Sequence, residues 1–122
     1  MAREFTINGS LAYEDDENTD ASLQIVDLIA SIATKIYSKF KKNIGITEEA
    51  LPLGEVAAPG WCLIINRDET NFVNLRVATA GAIFAKLKPG ECALLRLGSG
   101  AAAPYAIADT AACQVEGLIF DT

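Results

Sequence analysis

The chain has 122 residues, 51% of them hydrophobic and 21% charged, which is enough apolar surface to fold as one domain without metal or disulfide staples. A net charge of −6 argues against a nucleic-acid binder, because phosphate recognition draws its affinity from Lys and Arg. The absence of histidine removes Ser-His-Asp and Cys-His catalysis and the His-based metal sites.

The first residues, Met1 to Ile7, mix Arg3 and Glu4 with isolated apolar side chains, unlike a secretory leader, and synthesis in a cytoplasm is expected. No apolar run approaches the ~20 residues of a membrane helix, so no membrane partner is expected. Glu4 to Tyr13 reads as one long strand. Asn8-Gly9 is strong hairpin chemistry, yet folding there would mix apolar and polar residues on both faces, whereas a straight strand puts Phe5, Ile7, Gly9, Leu11 and Tyr13 on one. Residues 14–20 form an acidic loop that lacks the glycine and ligand spacing of a calcium-binding loop.

Residues 21–42 divide between two readings. Ile25, Ile29, Ile32, Ile36 and Phe40 recur at steps of three and four, as on a helix face. The same stretch is rich in β-branched residues, and Thr34, Ile36, Ser38 and Phe40 alternate with Lys35, Tyr37, Lys39 and Lys41. At most one short helix, near residues 21–33, is expected, and strand is preferred for at least Thr34 to Lys42 on the family resemblance given below.

From Leu53 onward short strands and turns alternate, the spacing of an antiparallel β-sandwich or barrel. Trp61 to Asn66 and Asn71 to Ala78 read as a hairpin about Arg67-Asp68-Glu69-Thr70. Gly81 to Leu87 and Glu91 to Gly98 flank Lys88-Pro89-Gly90, the chemistry of a type II turn. Pro104 to Ala108 reads as a strand at a sheet edge because it begins with proline. Cys113 to Phe120 closes the chain with Cys113, Val115 and Ile119 on one face.

Little in the chain carries chemistry. Cys62, Cys92 and Cys113 lie in apolar strands at wide separations and read as free, buried, structural thiols. Without histidine or a CxxC pair, no metal site is expected. Gly98-Ser99-Gly100 lacks the residues of a phosphate-binding loop. No catalytic residue and no cofactor are assigned.

The alternation in two consecutive strands puts Val73, Leu75, Val77, Ile83, Ala85 and Leu87 toward the core and Phe72, Arg76, Phe84 and Lys86 away from it. Those four are candidate protein-interface residues, since aromatics and arginine are enriched in interfaces; the other reading is that the two rings pack under another segment.

Four pieces in order resemble a group of small tailed-bacteriophage virion proteins: Ile44 to Gly54, Asn66 to Val73, Leu87 to Glu91 and Pro104 to Thr110. The resemblance runs from about residue 44 to the end. It implies a jelly-roll-like β-sandwich acting as a capsid cement or decoration protein on the outer head surface. Its partners would be the major capsid protein and further copies of itself, preferably as a trimer. The rival role is a tail-tip, baseplate or receptor-binding virion protein, with a shallow glycan site at Trp61, Tyr105 and the loop 98–104.

Overall fold

The computed structural model describes residues 4–14, 20–31, 35–98 and 100–121. The described residues are all-β and antiparallel and form ten strands: β1 (Glu4–Glu14), β2 (Asp20–Ser31), β3 (Tyr37–Ile44), β4 (Glu49–Ala50), β5 (Pro59–Asn66), β6 (Val73–Arg76), β7 (Ile83–Leu87), β8 (Cys92–Arg96), β9 (Tyr105–Ala108) and β10 (Cys113–Asp121). Two compact units divide the chain, Met1–Ala33 and Thr34–Thr122.

The first unit is a two-stranded ribbon of β1 and β2. Glu4 to Glu14 is extended through Asn8-Gly9, as the one-face pattern requires. Of the two readings of the stretch from residue 21 the strand holds, since residues 20–31 are β2. The register slips between Ile7↔Leu28 and Gly9↔Ile25, leaving Val26 and Asp27 opposite Asn8. Asp27 takes φ 51° there, and its N–H donates to Asn8 Oδ1 at 2.8 Å. A bulge of this kind puts Ile25 and Leu28, three apart, on one face, and Ile29, which would share a helix face with Ile25, on the other. Of the acidic loop expected at 14–20, Glu14 and Asp20 are the paired ends of β1 and β2, and residues 15–19 lie outside the described residues.

The second unit holds two four-stranded sheets, in the orders β3-β10-β5-β8 and β4-β9-β6-β7. They share one core to which both contribute: Ile44, Cys62, Ile64, Val115 and Ile119 from the first, Val73, Leu75, Leu87, Ala106 and Ala108 from the second. Cys113, Val115, Gly117 and Ile119 of β10 all face it, the period of two that the sequence carries. At Gly117 a β-carbon would collide with the Phe40 ring, which lies across that position from β3.

The strand pairings differ from the local reading. β5 and β6 do not form a hairpin; β5 lies between β10 and β8, and β6 between β9 and β7. Residues 67–72 therefore cross from one sheet to the other. Asn66 anchors that crossing: it is fully buried, its Nδ2 donates to the carbonyls of Asn71 and Leu87 at 2.9 Å each, and its Oδ1 accepts from the Asp68 N–H at 2.9 Å. Lys88-Pro89-Gly90 is the expected turn, closed by Glu91 N–H to Lys88 C=O at 3.0 Å with Gly90 at φ 82°, but it too links strands of different sheets. β9 is an inner strand flanked by β4 and β6 and not an edge, with Pro104 just before its ladder.

Candidate interaction surfaces

The four candidate interface residues separate into two groups. Arg76 and Lys86 alternate with the buried Val73, Leu75 and Leu87 and so stand on the outer face of the β4-β9-β6-β7 sheet. Lys86 Nζ lies 3.9 Å from the centre of the Phe72 ring, so those two form one cation–π pair. The Arg76 guanidinium is occupied by Glu48, at 2.9 Å from Nη1 to Oε2. The same carboxylate accepts the Ala80 N–H at 2.9 and 3.0 Å, tying the loop after β6 to the sheet. Those contacts, the Ala80 hydrogen bond first, hold the Glu48 carboxyl below its ordinary range.

Phe84 does not join them. Leu75 pairs with Ala85 but Arg76 with Ile83, so Phe84 is the extra residue of a β-bulge. It lines an apolar recess of about 310 Å³ with Val77, Leu95, Leu97 and Pro104. The same irregularity corrects two core expectations: Val77 and Ile83 are 54% and 51% exposed, and Val77 lies beyond the end of β6. Val73, Leu75 and Leu87 are buried as expected, and Ala85 packs partly against the core.

A surface missed by the sequence reading lies on the other sheet. Two complete cross-strand rows run across its outer face: Lys39–Leu118–Leu63–Leu94, and Lys41–Glu116–Ile65–Cys92. Their neighbours along each strand, Cys62, Ile64, Val115 and Gly117, point into the core, which fixes these rows outside. The result is an apolar strip with Leu94 40% exposed, basic at the β3 edge. Lys39, Leu63, Ile65, Glu116 and Leu118 outline a shallow depression of about 200 Å³. Glu116 pairs with Arg67 at 3.1 Å, whereas Lys39 and Lys41 make no ion pair among the described residues. The signal was available: Leu63 and Ile65, on the outward phase of β5, and Leu118 on that of β10 leave those strands apolar on both faces.

The ribbon is also two-faced. Phe5, Ile7, Gly9 and Leu11 pair with Ala30, Leu28, Ile25 and Leu23, so one face is apolar along most of its length. The other carries Thr6, Ser10, Ser22 and Gln24 together with Ala12 and the exposed Ile29. Leu11 and Leu23, directly opposite one another, are 76% and 74% exposed.

Of the three cysteines, Cys62 and Cys113 are buried and free, as expected, while Cys92 is exposed on the outer apolar strip. Burial pushes the Cys62 thiol up to about 11. Trp61 alternates with core residues of β5 and Tyr105 with core residues of β9, so they stand on the outer faces of opposite sheets and do not share a site. Among the described residues no group of three or more His, Cys, Asp or Glu side chains is placed to hold a metal. No family model, curated protein or solved structure matches the chain.

Proposed function

We propose that the protein is a structural component of a tailed-bacteriophage virion, a capsid cement or decoration protein that binds the outer head surface and stabilises the shell by non-covalent contacts. The observation that carries this reading is the strand order. β3 to β10 run as β3-β10-β5-β8 in one sheet and β4-β9-β6-β7 in the other, the order in which a jelly roll of eight strands threads its two Greek keys. That topology agrees with the family resemblance of residues 44–122, and the uncovered apolar strips suit a domain whose work is adhesion.

The physical role follows from mass action. A small domain bound in many copies across subunit junctions favours the assembled shell, because it binds that state and not the separated subunits. The major capsid protein is the partner on this reading, further copies of the chain are the neighbours, and no catalytic step is involved. The outer face bearing the Phe72–Lys86 pair is one candidate contact with the shell.

The reading is tested by adding purified protein to heads that lack it. Saturable binding at a fixed ratio to capsid subunits, with a raised temperature of DNA release, is the expected outcome. Binding confined to tails, or none, overturns it.

A further inference from the structure

The β1–β2 ribbon carries one largely apolar face. A two-stranded ribbon has no second layer of its own, and an isolated one is marginal in water. Its apolar face nevertheless carries Leu11, Leu23, Ile25 and Leu28, all exposed. Exposed strips of this kind mark association surfaces.

Charge chooses the partner. Residues 4–31 hold seven acidic residues, Glu4, Glu14, Asp15, Asp16, Glu17, Asp20 and Asp27, and no basic one. Residues 35–121 hold nine of each sign, so the ribbon segment accounts for the acidity of the whole chain. Five of the seven fall within residues 14–20, so a pairing of two such segments that brought those stretches together would set like charges against one another. The outer face of the β3-β10-β5-β8 sheet offers the complement, a central strip of Leu63, Ile65, Leu94 and Leu118 with Lys39 and Lys41 at its edge, the latter across the ladder from Glu116.

We propose that the apolar face of the ribbon of one copy seats on this outer sheet face of a second copy, whose own ribbon is donated in turn, so that the exchange closes into a symmetric homo-oligomer. The size is adequate. Ten paired positions at ~3.4 Å and two strands ~4.8 Å apart give each ribbon face an area on the order of 350 Å². In a two-fold pair, where each copy gives a ribbon to the partner it receives one from, each buries roughly twice that, close to the ~800 Å² per partner of a stable interface. Closure uses up both sticky surfaces and stops open-ended growth. The inference does not depend on the virion reading.

The experiment uses the full chain in solution. Sedimentation equilibrium should give a closed oligomer whose dissociation is promoted by salt, as screening weakens the Lys39 and Lys41 contacts. Leu11→Ser with Leu23→Ser should weaken association on the order of 100-fold or more, and Leu94→Ser with Leu63→Ser comparably. Lys39→Glu with Lys41→Glu, both at exposed positions, keeps the test valid if an apolar variant fails to fold; it should also weaken association. A thiol cross-linker applied to Leu23→Cys protein should join the introduced thiol to Cys92 of another chain. A monomeric wild type, a cross-link only within one chain, or an oligomer sensitive to the ribbon changes but not to either set of sheet changes overturns the proposal.

Discussion

The ring of Phe40 on β3 lies directly over Gly117 on β10, the residue it faces in the register of the two strands. The ring fills the space that a side chain at 117 would need, so the glycine is kept by packing and not by backbone conformation. Gly117→Ala should therefore destabilise the second unit by about 1–3 kcal/mol through overpacking, seen as a lower urea midpoint. An unchanged midpoint would mean that the ring moves freely aside.

Asn66 is the polar pin of the crossing between the sheets. Replacing it with Leu leaves the carbonyls of Asn71 and Leu87 and the Asp68 N–H without its side-chain partners. Buried polar groups that lose partners cost about 1–3 kcal/mol each, so a loss of about 2–4 kcal/mol is expected for Asn66→Leu. Asn66→Asp should be no better, since a carboxylate cannot donate to either carbonyl. A loss under about 1 kcal/mol in urea unfolding contradicts this role.

Acid should destabilise the protein through three carboxylates held below their ordinary values. Glu48 is held down first by the Ala80 N–H, Asp68 first by the Asn71 N–H at 2.7 Å, and Glu116 first by Arg67. A group with a depressed folded value adds stability above its unfolded value, near 4.5 for Glu and 3.8 for Asp, and loses it as pH falls through the folded value. Urea midpoints should thus be level from pH 7 to about 5 and fall below that. Glu48→Gln should make the fall shallower; an identical acid limb would remove Glu48 from the account.

The thiols should divide by exposure. In native protein a maleimide should label Cys92 at once, while Cys62 and Cys113 react only on unfolding. Denatured protein without reductant should titrate as three thiols. Rapid native labelling of more than one would show that the core between the sheets opens.

Particular residues show where the sequence is legible. The alternation of Cys113, Val115 and Ile119 predicts the buried face of β10, and Lys88-Pro89-Gly90 predicts its turn, because both depend on local geometry. Two bulges defeat the same reasoning. At Asp27 the extra residue breaks the period of two, so that Ile25 shares a face with Leu28, and at Phe84 it removes one aromatic from the outer face and leaves Ile83 exposed. The partner of β5 is also beyond local reading, since a turn such as residues 67–70 looks alike whether its strands pair or part between sheets. Of the candidate interface, Phe72, Arg76 and Lys86 were legible from alternation, and the strip of Leu63, Leu94 and Leu118 was concealed by strands that are apolar on both faces.

The central claim, attachment to the head of a virion, is tested most directly by cryo-electron microscopy of particles made with and without the chain. The account predicts density for an eight-stranded sandwich repeated at equivalent positions over the outer head surface, absent from particles that lack the chain. Density for it only at the tail tip or baseplate, or particles identical in both preparations, would contradict the account.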